Sequence, residues 1–336
     1  MNTRPWHILT WITGLLIATQ ALAAQVGWTQ ISVFGSAPDA RMTTVALYYP
    51  TEAKARPITM GPLVVNVAIQ AAPEPTVKGL IMLSHGTGGS EISYSRLAEA
   101  LAGQGYLVAA LRHPGDNWQD QALLEKTPEL YFYVRPRQVS QVLDALLQDP
   151  KWKDRIARDA RGLRIGALGH SAGGYTVLAL AGGEPDLARL AAHCREHGAE
   201  DPIFCGMGKP SRHPQPVPAP VLRDGRVRAV VAMAPVGAVF NPGSLARIQV
   251  PTLIYAPQLD RFLVPRFHAE WIAANMPKAE LRKVPNAGHF AFLDTPTMAI
   301  PSPDGDLGAN PPGFDRAAFL TRLGVEVGAF FDQAFQ

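Results

Sequence analysis

Gly169-His170-Ser171-Ala172-Gly173 sets a serine between glycines two residues away on either side, a G-x-S-x-G arrangement. An apolar run at 163–168 precedes it, and a helix-forming stretch at 172–181 follows. A strand-to-helix turn this tight strains the serine backbone and exposes its hydroxyl at the carboxyl edge of a sheet. The helix start behind it favours developing negative charge. Such a serine becomes a nucleophile at neutral pH only with a base beside it, and imidazole suits the task. His289, in Pro285-Asn286-Ala287-Gly288-His289-Phe290, follows an apolar-edged run at 280–284. An acid must hold the imidazole tautomer. Asp260 leaves the run at 252–256, and no Asp or Glu occurs between Asp224 and Asp260. Asp294, close behind His289, is the alternative acid. Ser84-His85-Gly86-Thr87-Gly88-Gly89 follows another buried run. Its glycines let backbone approach the serine, so the N–H groups of Thr87 and Ala172 are the candidate oxyanion donors, each typically worth ~3–4 kcal/mol in the transition state. No lysine follows these glycines, which excludes a phosphate-binding loop of the G-x-x-x-x-G-K type.

The elements needed to position these groups can be read along the chain. Residues 28–34, 41–49 and 63–69 have strand character and predict an antiparallel opening. From residue 79 the texture changes to short continuous apolar runs, at 79–83, 106–111, 163–168, 227–234, 252–256 and 280–284, as expected of strands buried on both faces. Helical spacing marks 94–104, 136–148, 172–181, 265–276 and 315–331. This alternation predicts an α/β fold, a mostly parallel sheet with helices on both faces, in one domain spanning 24–336. Residues 182–224 interrupt it. They hold both cysteines together with His193, His197 and His213, and predict an insertion or cap. Cys194 and Cys205 are expected to form a disulfide; the alternative is a metal site of His193, Cys194, His197 and Cys205. Arg112-His113-Pro114-Gly115-Asp116 follows a strand and is a candidate site lining.

Composition narrows the function classes. With 336 residues, 47% apolar and 18% charged, the chain is neither disordered nor dependent on staples. A net charge of +3 without long basic runs excludes a nucleic-acid grip. Residues 1–23 combine Arg4, the apolar stretch ILTWITGLLI and Ala21-Leu22-Ala23. This predicts a secretory signal peptide cleaved after Ala23, the alternative being a membrane anchor. The mature protein is then exported, periplasmic or secreted, with no later membrane span.

The chain resembles the α/β-hydrolase superfamily, and within it the bacterial predicted dienelactone hydrolases related to platelet-activating factor acetylhydrolases. The resemblance rests on LSHGTGGS (83–90), YLVAALRHPGDN (106–117), RPRQVSQVLDALL (135–147), GALGHSAGGYTVLALAG (166–182), RVRAVVAMAPV (226–236) and NAGHF (286–290). It implies Ser171, Asp260 and His289 as a catalytic triad, in that family's chain order of Ser, acid and His. Dienelactone hydrolases carry Cys where this chain has Ser171, which favours ordinary carboxylic esters over a dienelactone. The expected protein is therefore a serine esterase without metal or organic cofactor, acting on a small-molecule or lipid ester. The alternatives are a phospholipid acyl hydrolase whose acyl pocket is shaped by 182–224, and a non-catalytic binding protein on the same scaffold.

Overall fold

A computed structural model describes residues 24–35, 41–207 and 222–336. The predicted signal segment, His213 and residues 208–221 of the insertion lie outside the described residues.

A ten-stranded sheet forms the centre, with strands β1 (Gln25–Phe34), β2 (Met42–Thr51), β3 (Arg56–Met60), β4 (Leu63–Ile69), β5 (Leu80–Ser84), β6 (Leu107–Arg112), β7 (Ile165–His170), β8 (Ala229–Met233), β9 (Thr252–Pro257) and β10 (Glu280–Val284). Their spatial order is β10-β9-β8-β7-β5-β6-β2-β1-β4-β3. All neighbours from β10 to β6 run parallel; β2 is antiparallel to both β6 and β1.

The expected antiparallel opening needs correction. β4 pairs parallel with β1, because β6 occupies the other edge of β2 and the chain reaches β4 through the outer strand β3. β3 itself carried no readable pattern. It contains Pro57, which has no N–H to give a ladder and is tolerated at this outermost position.

Along β5, alternate side chains go to opposite layers. Leu80 and Met82 pack toward α2 (Tyr131–Gln148) and α3 (Ala172–Ala181); Ile81 and Leu83 pack toward α1 (Ser95–Gly103) and α4 (Arg316–Ala334). Both faces are dry, which is why this strand reads as an unbroken apolar run. Truncating one of these buried leucines to alanine typically costs about 2–5 kcal/mol.

Two helices differ from their expected bounds. α2 begins at Tyr131 and not at Pro136, so the proline lies inside it. Pro136 cannot donate to the Phe132 carbonyl, and the Tyr175 hydroxyl donates to that carbonyl instead, at 3.0 Å. The predicted helix at 265–276 is split into a 3-10 turn, Pro265–Phe267, and a short helix, Ala269–Ala274. The break falls at His268, which is fully buried and bound to two other segments.

In the insertion, helices Leu187–His197 and Pro202–Gly206 are joined by the Cys194–Cys205 disulfide. Among the described residues, no helix is long and apolar enough to cross a membrane.

Candidate active site

Ser171 joins β7 to α3 with φ 57° and ψ −119°, a left-handed backbone that side-chain-bearing residues rarely adopt. The flanking glycines make this turn possible. A Cβ on Gly169 would lie 2.2 Å from the Gly173 carbonyl oxygen, and one on Gly173 would lie 1.9 Å from that of Ser84. The strain is held by two tertiary bonds, from the Ser171 N–H to the Met233 carbonyl and from the Val236 N–H to the Ser171 carbonyl, which also accepts from Tyr175 in the first turn of the helix.

The structure brings together Ser171, His289 and Asp260 from three different loops. Ser171 Oγ lies 3.0 Å from His289 Nε2, and His289 Nδ1 lies 2.7 Å from Asp260 Oδ2. The other carboxylate oxygen of Asp260 accepts the N–H groups of Phe262 and Leu263, at 2.8 and 2.7 Å. With Asp260 accepting only, the Nδ1 proton belongs to His289 and its Nε2 lone pair faces the serine hydroxyl. The Phe262 ring stacks on the imidazole at 4.7 Å between centroids and 13° between planes. This arrangement can take a proton from Ser171 without reorienting the ring.

His170 adds a brace that motif reading missed. Its Nε2 donates to the His289 carbonyl at 2.9 Å, while its Nδ1 accepts from the Tyr94 hydroxyl at 2.8 Å. Burial and the neighbouring His289 hold its pKa well below the ordinary histidine value, so it stays neutral. The position-before-serine histidine was visible in the motif, but its role depends on Tyr94, 76 residues away.

The glycine loop after β5 passes directly over the serine: a Cβ on Gly86 would come within 3.2 Å of Ser171 Cβ. Among the described residues, neither the Thr87 nor the Ala172 N–H has a hydrogen-bond acceptor. The loop is fixed from below by Asp116, one of the residues flagged only as possible lining. Its carboxylate accepts from the Gly88 N–H at 2.9 Å and from the Tyr131 hydroxyl at 2.6 Å, and it pairs with Arg135. Having spent its only proton on Asp116, Tyr131 accepts one from the Thr87 hydroxyl, 2.7 Å away. Arg135 and Asp116 are both fully buried, and Arg135 also donates to the His85 carbonyl, Ser84 Oγ and Thr176 Oγ1. Sequence held one signal for this: Arg135 lies on the same helical face as Val139 and Val142, and a charge on a buried stripe requires a partner.

A cleft of about 670 Å³ opens over Ser171 and His289. Its walls are largely apolar and come from Trp28, Met60, Leu63, Trp118, Phe290 and Ile300. The β3–β4 hairpin and the chain after His289 build this wall. None of the described residues of 182–224 lines it.

Asp294, the alternative acid, does not reach the imidazole. It lies in the cleft wall and accepts the Arg96 N–H at the start of α1, at 3.0 and 3.3 Å. Burial pushes its pKa up to about 7.

The proposed metal ligands are otherwise engaged. The two sulfurs are bonded to each other, His197 contacts Glu200, and His193 Nε2 faces Asp201 at 2.9 Å. His193, Asp201 and His268 form a second cluster. There His268 Nδ1 accepts the Gly237 N–H, so its Nε2 carries the proton given to Asp201 and has no lone pair for a cation.

The ferulic acid esterase from Streptomyces cinnamoneus has the same fold. It aligns with TM-score 0.61 and 21% identity over 94% of this chain and 91% of its own. A dienelactone hydrolase from Anabaena variabilis aligns with TM-score 0.51 and 17% identity, over 92% of this chain and 98% of its own. No curated protein sequence matches the chain. Residues 80–300, more than half of the chain, match the alpha/beta hydrolase family, and they include the strained serine turn, the glycine loop, Asp260 and His289. The chain therefore belongs to the alpha/beta hydrolase family.

Proposed function

We propose that this protein is an exported serine hydrolase of carboxylic esters. The observation that carries the reading is the continuous chain Ser171–His289–Asp260, with contacts of 3.0 and 2.7 Å at the floor of an apolar cleft. His289 takes the Ser171 proton as Oγ attacks the ester carbonyl carbon. The carbonyl oxygen becomes an oxyanion held by the N–H groups of Thr87 and Ala172. The bond to the alcohol oxygen then breaks, and His289 returns the proton to that leaving group. Water, deprotonated by His289, attacks the acyl carbon, Ser171 leaves, and the acid is released. Every proton is carried by His289, so the cycle calls on no further group. Export is supported by the N-terminal pattern and by the disulfide, which suits an oxidising compartment.

The test uses 4-nitrophenyl esters from acetate to palmitate, with a serine-directed fluorophosphonate. Turnover should vanish in Ser171→Ala while the circular dichroism spectrum stays unchanged, and the label should map to Ser171. Turnover persisting in that variant at the wild-type rate would overturn the reading.

A further inference from the structure

The cleft wall is short of positive charge. Among the described residues that line it, the carboxyl groups are Glu91 and Asp294 and the only Lys or Arg is Arg112. That guanidinium is already engaged. Its Nε donates to one carboxylate oxygen of Glu91 at 2.7 Å and its Nη2 to the other, while Nη1 reaches Gln119 at 3.1 Å. Glu91 is only 4% exposed, so its charge is offset chiefly by Arg112 and little by water. The two therefore count as a neutral pair in the cleft. Asp294 adds a group that is either neutral or negative, never positive. His170, the second histidine of the lining, is held neutral. The rest of the surface is dominated by apolar side chains and rings.

An ester entering this space has to shed water. A carboxylate or phosphate on it would be desolvated against apolar walls, beside carboxyl groups and, among the described residues, with no uncommitted Lys or Arg. An uncharged group of the same size meets no such penalty. We infer that the cleft selects uncharged, apolar esters and discriminates against esters bearing a carboxylate or a phosphate, because Glu91 neutralises Arg112, the one Lys or Arg among the described residues of its wall. The inference rests on the ester-hydrolase reading above and names the substrate class of that same site. It also separates this cleft from one built for a dienelactone carboxylate or a phospholipid headgroup.

A matched pair of substrates tests it. 4-Nitrophenyl methyl succinate and 4-nitrophenyl hemisuccinate share a leaving group and differ by a methyl and a charge. The wild type should show kcat/KM at least about tenfold higher for the neutral diester, since misplaced like charge is a strong discriminator. Glu91→Gln frees the Arg112 charge and should narrow that ratio, by about tenfold, chiefly by improving the hemisuccinate. The double change Glu91→Gln with Arg112→Gln removes the freed cation and should restore the preference. The wild-type ratio can be read whether or not either variant folds. Equal kcat/KM for the pair, or preference for the hemisuccinate, would overturn the inference, as would a folded Glu91→Gln with an unchanged ratio. Failure of the two readings is distinguishable. Cleavage of the neutral diester by Ser171→Ala at the wild-type rate defeats the hydrolase assignment, whereas Ser171-dependent cleavage without discrimination defeats only the selectivity.

Discussion

Replacing Asp294 by Asn separates two jobs that a carboxylate beside His289 could hold. The side chain is buried and accepts the Arg96 N–H, and burial lifts its pKa from 3.8 to about 7. Between those values the folded chain keeps a proton that the unfolded chain has lost. The stabilisation is therefore fully present below about pH 4 and drains away as pH rises through about 7. A shift near three pKa units corresponds to about 4 kcal/mol over the whole window. Between pH 5 and pH 8 the loss comes to about 3 kcal/mol.

Asparagine imitates the protonated acid, with one acceptor oxygen for Arg96 and one N–H-bearing arm, and it cannot ionise. Glu99, whose pKa burial also raises to about 7, is raised further by the Asp294 charge; Asn removes that repulsion at pH 8, which adds to the variant's gain. Urea unfolding of wild type and Asp294→Asn at pH 5 and pH 8 reads the difference directly. The variant should gain about 3 kcal/mol on the wild type between the two conditions. Turnover should remain near wild type, since Asp294 has no contact with His289 among the described residues. A stability difference that is the same at both pH values would refute the burial argument. A loss of kcat as large as that of Asp260→Asn would refute the choice of acid.

Three further outcomes follow from the same geometry. Asp260→Asn should reduce kcat by about 10⁴ with normal folding, because an amide facing His289 Nδ1 favours the wrong tautomer; stopped assays on a neutral nitrophenyl ester check it, and near-normal turnover would contradict it. Asp116→Asn leaves the buried Arg135 without its countercharge and should cost about 3–5 kcal/mol, measured by denaturant unfolding; a change below about 1 kcal/mol would show that Arg135 finds another partner. Reducing Cys194–Cys205, separated by 11 positions, should cost about 3 kcal/mol in the chain-entropy account, with the larger effect on protease resistance of 187–206 than on turnover; two thiols alkylated in the unreduced folded protein would contradict the bond itself.

What could be read in the sequence was what a single loop must satisfy. Gly169 and Gly173 are demanded by backbone crowding, so the serine turn announces itself in five residues. Asp260 emerged by elimination because the preceding strand has no acidic residue after it. The alternation of buried runs and helices carried the parallel half of the sheet, whose strands lie between two apolar layers. The antiparallel side was less legible. Its strands β1 and β4 are partly exposed, and whether β4 pairs with β1 or β2 depends on which edge β6 leaves open. The cleft wall was not legible either: among the described residues much of it is a hairpin at Gly61 and the segment after His289, neither marked by a motif.

The oxyanion loop shows why part of such a site stays hidden. Its glycines permit a close approach to Ser171, yet a flexible loop would not hold N–H groups where charge develops, and preorganisation is what makes those donors effective. The rigidity comes from Asp116, which binds Gly88 directly and reaches Thr87 through Tyr131, while Arg135 neutralises it and ties the His85 carbonyl from the same side. Asp116 lies in the loop after β6, and Tyr131 and Arg135 lie on the helix Tyr131–Gln148; the bonds that join them to one another and to the glycine loop span 15 to 50 positions. An isolated buried aspartate or arginine would destabilise the fold; together, with their remaining bonds satisfied, they become a fixed footing for the loop. The family motif thus places the candidate triad, and a buried ion pair, of which the sequence shows only an arginine on an apolar helical face, holds the glycine loop in place over Ser171.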